Sequence, residues 1–358
     1  MLMKVFIFSL SSAPSSEIFI QKQLPLILLD YVIVSDMRKA DIIIGTGNEF
    51  IRFSQSEKLD EKFLILYKPH TELDLRLFGK SFWQLFKSLA RRISYGLCFE
   101  KITHDYSNFQ IILCDSRRLQ RLFSITKNAI YLPLSFFPKA ETWRPKKSIP
   151  DKINIGYFGE ITHLIECINQ LKVLDLSLKK PITLICFTYG PFSPKLIQSH
   201  FNNIDIQYRK FKFDYSYMLE KSLDIDFAIC PMFWTNTNYM NSSIIKSKFQ
   251  PNEVYRIEKF STNSGRAHLI CSLGLPLIVS PTEDVVHEFN WLPDFCFFEN
   301  GEDLVRGYDR LIDEKVNTDI RILISQKYNQ DFLHSGILRI RKAIYQHFKN
   351  IDQLRSNK

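Results

Sequence analysis

The chain has 358 residues, 45% of them apolar and 24% charged, which excludes a disordered or low-complexity protein and exceeds the length that one core usually sustains. Its net charge of +9 is lopsided, because residues 1–150 carry 22 Lys and Arg against 14 Asp and Glu while the remainder carries 25 against 24. No stretch reaches the roughly 20 apolar residues of a membrane span, and no zinc-ligand spacing, RNP-like aromatic motif or long basic run points to nucleic acid.

The opening MLMKVFIFS has an apolar core from Val5 to Phe8, too short for a secretory signal, and reads as a first β-strand. Short β-branched or aromatic runs recur at 31–35, 41–45, 62–67, 109–114 and 129–133, each ended by Ser, Asp, Gly or Pro. Helix-like segments alternate with them. In FQIILCDSRRLQRLF, strand Gln110–Cys114 is followed by Asp115 and Ser116 as caps, then by a helix with Leu119, Leu122 and Phe123 on one side. From Leu75 to Ile93 a helix is expected with Phe78, Phe82, Leu85, Leu89 and Ile93 on one face and Arg76, Lys80, Trp83, Lys87 and Arg91 on the other. Such a helix either covers a sheet or presents its cations and Trp83 to an anionic membrane.

Residues 138–152 are rich in Pro and Lys and read as a linker. A second strand series follows at 153–160, 181–190, 204–211, 224–231, 275–281 and 295–301. The tail, 320–348, has helical spacing in Leu323, Tyr328, Phe332, Ile337, Ile340 and Ile344, with Gly336 as a point where it can bend. This alternation predicts an α/β protein with parallel sheets covered on both faces and ligands outside the carboxyl ends of the strands. The expected division is an N-terminal Rossmann-like domain at 1–145, a second at 146–335, and a C-terminal helix at 336–358 that packs back on the first. Cys114, Cys186, Cys230, Cys271 and Cys296 sit in or beside apolar runs, as reduced core thiols do, and a cytoplasmic protein is expected.

The richest segment is FSTNSGRAHLICSLGLPLIVSP, from Phe260 to Pro281. Asn263 and Ser264 can cap a helix whose body is Ala267–Ser272, Gly274 ends it, and Leu277–Val279 suits a buried parallel strand. Preceded by Lys259 and carrying Arg266, that helix start offers backbone N–H groups, a positive dipole end and two cations to a phosphate. His268, inside the helix, reads as a satisfied histidine. In INIGYFGEITHL, Gly159 follows a strand and lets a ligand approach the backbone, with Glu160 and His163 beside it. The DID of Asp224–Asp226 opens a strand rather than ending one, and no metal is expected.

KVFIFSLSS, FQIILCDSRRLQRLF with AIYLPLSFF, INIGYFGEI, KFSTNSGRAHLICSLGLPLIVSPTEDVVHEF and GEDLVRGYDRLIDE together resemble a GT-B glycosyltransferase of the family called glycosyl transferases group 1, family 4-like. The resemblance implies two Rossmann-like domains whose parallel sheets face each other across a cleft, and a nucleoside-diphosphate sugar donor bound by the second domain without a metal or other cofactor. It places the donor diphosphate on Gly159, Glu160, Lys259, Thr262, Asn263, Ser264 and Arg266, with Lys259 and Arg266 offsetting charge on the leaving group. Many retaining members carry two glutamates eight apart around this helix. The corresponding positions here are Ser261 and Leu269, so stereochemistry stays open, with Glu253 and Glu258 just upstream.

The acceptor, a glycan or a lipid-linked sugar, is implied to bind the first domain, where Ser11, Ser12, Gly45 to Gly47, Asp115 and Ser116 follow strands. His70 is the candidate base, although a loop histidine is commonly structural. Gly45-Thr46-Gly47 lacks GxGxxG context and reads as a tight loop. The expected function is sugar transfer in cell-surface polysaccharide or glycolipid synthesis, cytoplasmic or peripheral on the cytoplasmic membrane face. The alternatives are an inactive scaffold of the same fold and another sugar-nucleotide enzyme such as an epimerase.

Overall fold

Ile42–Gly45, Phe63–Tyr67 and Ile111–Cys114 have almost nothing polar to offer solvent, so they fit only the interior of a sheet covered on both faces. The computed structural model describes residues 2–9, 19–56, 59, 61–67, 106, 108–117, 120, 129–133, 152–159, 161–188, 194–212, 214–232 and 264–356. It divides into two units, one of residues 1–136 with 330–358 and one of residues 137–329.

In the first unit the elements are β1 (Met3–Ser9), α1 (Leu24–Ile27), β2 (Tyr31–Ile33), β3 (Ile42–Gly45), α2 (Gly47–Ser56), β4 (Phe63–Tyr67), β5 (Ile111–Cys114) and β6 (Ala129–Tyr131). The strand order is β2-β1-β3-β4-β5-β6, and every pairing is parallel. Met3–Ser9 is therefore a strand, as its short apolar core requires. Gly45 closes β3 because a Cβ there would lie 2.6 Å from the Phe50 ring, which lies tilted against Phe8 with ring centroids 5.2 Å apart. The Gly45-Thr46 turn serves that close packing.

The second unit runs β7 (Ile153–Phe158), α3 (Ile161–Glu166), α4 (Ile168–Ser177), β8 (Ile182–Thr188), α5 (Lys195–Gln198), β9 (Ile204–Lys210), α6 (Tyr215–Lys221) and β10 (Phe227–Cys230). It continues with α7 (Gly265–Ser272), β11 (Leu277–Val279), α8 (Glu283–Glu288), α9 (Gly301–Leu311) and α10 (Glu314–Lys327). Its sheet, ordered β11-β10-β7-β8-β9, is again wholly parallel. The edge strand β9 alternates buried Ile204 and Ile206 with exposed Asp205 and Gln207, while β8 inside the sheet is buried throughout.

The expected strand at 295–301 is not formed. Asp294–Cys296 is a 3-10 turn, and only Phe297 bridges to Val279. The reason is local: the Asn300 side chain accepts from the Asp303 N–H at 2.9 Å and starts α9 at once, leaving no room for an extended run.

Asp226 stands before β10, as the sequence predicts for the DID segment, and its carboxylate accepts from the Asn154 N–H at 2.8 Å. The buried Arg321 gathers the amino ends of β10 and β11. Its guanidinium donates to the carbonyls of Asp226 at 2.7 Å, Ile225 at 3.2 Å and Gly274 at 3.3 Å, and its Nε donates to Asn317 Oδ1 at 2.9 Å. Burial pushes its pKa down to about 10, so it stays charged near neutrality.

The last helix, α11 (Asp331–Ser356), belongs to the first unit. Leu333, Ile337, Ile340 and Ile344 enter the core with Val5, Ile42, Ile44 and Ile65, at the 3- and 4-residue steps of one helical face. The helix runs unbroken through Gly336, which serves close approach: a Cβ there would lie 2.7 Å from the Tyr131 carbonyl oxygen. Arg341 donates to the carbonyls of Leu26 and Ile27, at the end of α1.

The six cysteines among the described residues are buried free thiols, including all five expected in the core. Burial raises the thiols of Cys114, Cys186, Cys271 and Cys296 far above reactive values.

Candidate functional site

In the second unit, β8 and β9 lie to one side of β7, and β10 and β11 lie to the other. The winding direction therefore reverses between β7 and β10, the point at which an open parallel sheet leaves a crevice beyond its carboxyl ends. The chain leaves β7 at Gly159 and β10 at Pro231, and the start of α7 is tied to both.

The local sequence explains α7. Ala267 to Ser272 are all buried, so the helix has no solvent face along its body. It stops in a Schellman arrangement: Gly274 adopts φ +70°, its N–H donates to Cys271 O at 2.9 Å, and the Leu275 N–H donates to Ile270 O at 3.2 Å. The expected glycine stop and the strand Leu277–Val279 are both present.

Arg266, half-buried in the first turn of α7, spans the reversal point. Its Cδ lies 2.7 Å from where a Cβ at Gly159 would stand, and its Nη2 donates to the Pro231 carbonyl. Gly159 adopts φ +139°, a conformation that disfavours side chains, and its N–H donates to Phe187 O at 3.0 Å. The turn after β10 is fixed from β11, because the Met232 N–H donates to Ser280 Oγ at 3.0 Å. Burial pushes the Cys230 thiol up to about 11 although the nearby Arg266 cation pulls it down, so the positive field reaches the end of β10. The site thus combines a glycine without a side chain, a guanidinium and the positive end of a helix dipole, the ingredients of an anion cradle.

Ser264 occupies the N-cap position but does not cap. Its backbone is at φ −75°, ψ 2°, and its hydroxyl donates instead to Glu288 Oε2. A capping residue needs an extended backbone, which Ser264 lacks, so its Oγ is not presented to the N–H groups of the first turn and the capping expected of the sequence is not made. His268 is an interior residue held between Glu288 Oε2 at 2.8 Å and the Tyr328 hydroxyl at 3.3 Å.

Gly159, Ser264 and Arg266 of the expected donor set are thus brought to one place. Glu160, Lys259, Thr262 and Asn263 lie outside the described residues, as does Ser261; Leu269 is buried. Pro231, Ser280 and Tyr328 carry no local sequence signal for this site, and neither does Glu288 as a partner of Ser264. Glu288 lies 24 residues from Ser264, and no local spacing signals that bond.

In the first unit, Asp115 and Ser116 follow β5 and are buried, at 3% and 1% exposure. Burial, then the Asp115 charge, raises both Tyr67 and Cys114 well above their ordinary values, which places the carboxylate at the carboxyl ends of β4 and β5. Arg117 lies between the rings of Tyr131 and Phe332, 4.8 Å from each centroid. Ser11, Ser12 and His70 lie outside the described residues, as do Arg76, Lys80, Trp83, Lys87 and Arg91 and the helix residues Leu119, Leu122 and Phe123. Among the described residues, no group of three His, Cys, Asp or Glu is placed to hold a metal, and no helix is long and apolar enough to cross a membrane.

No protein-family model and no curated protein sequence matches the chain. Solved structures do. TarM is 12% identical, with 84% of this chain and 54% of that one aligned at a TM-score of 0.47. An α,α-trehalose-phosphate synthase (UDP-forming) from Burkholderia vietnamiensis is 9% identical over 88% and 73% of the two chains, with a TM-score of 0.49. The lipopolysaccharide outer core galactosyltransferase WaaB is 10% identical over 97% and 99%, with a TM-score of 0.48. The chain spans about half the length of the first of these, 54%. The fold implied by the sequence resemblance, two Rossmann-like units each built on a parallel sheet, is the fold observed.

Proposed function

We propose that the second unit binds a nucleoside-diphosphate sugar at the reversal point of its sheet and that the protein transfers the sugar to a glycan or lipid-linked acceptor. The observation that carries this reading is Arg266, which reaches from the first turn of α7 across Gly159 to the Pro231 carbonyl. A cation fixed there meets the negative charge that grows on a diphosphate as the glycosidic bond to it breaks, and fixed donors need no reorganisation during the reaction. Lys259 supplies a second cation. Thr262, Asn263 and the Ser264 N–H orient the phosphates, and Gly159 with Glu160 borders the sugar side. With two side-chain cations and a helix dipole present, the leaving group is stabilised without a metal.

The acceptor is assigned to the first unit, with Ser11, Ser12, Asp115 and Ser116 near it and His70 as base. Attachment to an anionic membrane through Arg76, Lys80, Trp83, Lys87 and Arg91 brings the enzyme to a lipid-linked acceptor on the cytoplasmic face, in polysaccharide or glycolipid synthesis.

The test is a panel of UDP-, GDP-, ADP- and dTDP-sugars, with free nucleotide measured in the presence and absence of a glycan or polyprenyl-phosphate acceptor. Release of nucleoside diphosphate from one donor is expected, stimulated by acceptor and unaffected by EDTA. An isomerised sugar with no acceptor consumed identifies an epimerase instead, and binding without release identifies a scaffold.

A further inference from the structure

Ser264, Glu288, His268 and Tyr328 form a buried polar cluster that the reaction does not consume. Glu288 Oε2 accepts from the Ser264 hydroxyl and meets His268 Nε2 at 2.8 Å, while His268 Nδ1 meets the Tyr328 hydroxyl at 3.3 Å. The histidine and glutamate side chains are 4% and 1% exposed. Phe289 and Tyr328 close over the imidazole, with ring centroids 4.9 Å and 5.7 Å away. The members come from three elements: α7, the end of α8 and the residue that caps α10.

A buried carboxylate is costly unless its bonds are supplied, and here the Ser264 hydroxyl and the His268 ring supply them. Ser264 and His268 are four residues apart and share one face of α7, whereas Arg266, two residues from each, projects about 200° round the helix at ~100° per residue. The cluster grips one face of the first turn while the guanidinium leaves from the other.

We propose that Ser264, Glu288 and His268 are positioning residues that set the rotation of the first turn of α7, and through it the placement of Arg266 over Gly159. The proposal rests on the donor-site reading for its consequence in binding, but the clamp itself is a property of the free protein. The Ser264 hydroxyl, which caps nothing, makes a long-range tie between α7 and α8.

Two measurements on the full chain separate clamp from ligand. Hydrogen exchange of peptides covering residues 264–272 is compared between the parent, Ser264→Ala and Glu288→Ala, and UDP, GDP and ADP are titrated into the same proteins and into Arg266→Ala and Ser264→Ala/Arg266→Ala. Exchange in the first turn is expected to quicken about tenfold in both single variants, with an equal fall in affinity for the nucleotide that binds, the size of one lost hydrogen bond. In the Arg266→Ala background, Ser264→Ala is expected to cost less affinity than in the parent, because the part of its effect that passes through the guanidinium is already gone. Unchanged exchange overturns the clamp. Quicker exchange with undiminished affinity, or an equal loss in both backgrounds, overturns the link to Arg266. A parent that binds none of the three nucleotides removes the donor-site reading and the link with it, and the exchange result still decides the clamp.

Discussion

Arg266→Ala is expected to weaken nucleoside diphosphate binding about a hundredfold, measured by isothermal titration. Hydrogen bonds to a charged group each contribute roughly 1.5–3 kcal/mol, so losing a guanidinium that contacts a diphosphate removes about 3 kcal/mol. The geometry makes the loss specific to this side chain. Its Cδ packs where a side chain at Gly159 would be, and its Nη2 is anchored on Pro231, so the guanidinium is held at the reversal point before any ligand arrives. Arg266→Lys keeps the charge but loses the planar fork, and is expected to recover only part of the affinity. Equal binding by Arg266→Ala and the parent would remove Arg266 from the site.

Arg321→Met is expected to lower the stability of the second unit by about 3–5 kcal/mol in urea unfolding, among the larger effects of a single replacement. The methionine fills part of the volume but leaves the carbonyls of Ile225 and Gly274 without the guanidinium that serves them, while Asp226 O keeps only the Asn317 amide at 3.2 Å, and each buried unmet acceptor costs roughly 1–3 kcal/mol. Because these groups lie at the amino ends of β10 and β11, nucleotide affinity of the folded variant is expected to stay near that of the parent. A loss under 1 kcal/mol would mean that water reaches those carbonyls freely.

The contrast between Arg266 and Arg321 also shows which features the sequence made legible. Strands could be read because runs such as IIIG at 42–45 and IILC at 111–114 leave a parallel sheet as the only economical burial. The stop of α7 was legible for the same kind of reason: Gly274 supplies the positive φ that ends the helix, and Pro276 follows. Arg266 could be marked because its neighbours spell a helix start.

Arg321 could not be marked, since nothing local distinguishes it from the other arginines on helical segments. Its partners lie 95 to 96 residues away in the case of Asp226 and Ile225. The same holds for Ser264, whose local context predicts a cap while its partner Glu288 enters from another helix. The strand expected at 295–301 failed through a competing local signal, the Asn300 cap, which ends the extended run before it can pair.

The most direct measurement is a crystal structure with whichever of UDP, GDP, ADP or dTDP binds most tightly. The diphosphate is expected at the start of α7, within hydrogen-bond reach of the Arg266 guanidinium and beside the Gly159 backbone. A nucleotide bound elsewhere on the chain, with Arg266 still resting on Pro231 and no phosphate near it, would contradict that placement.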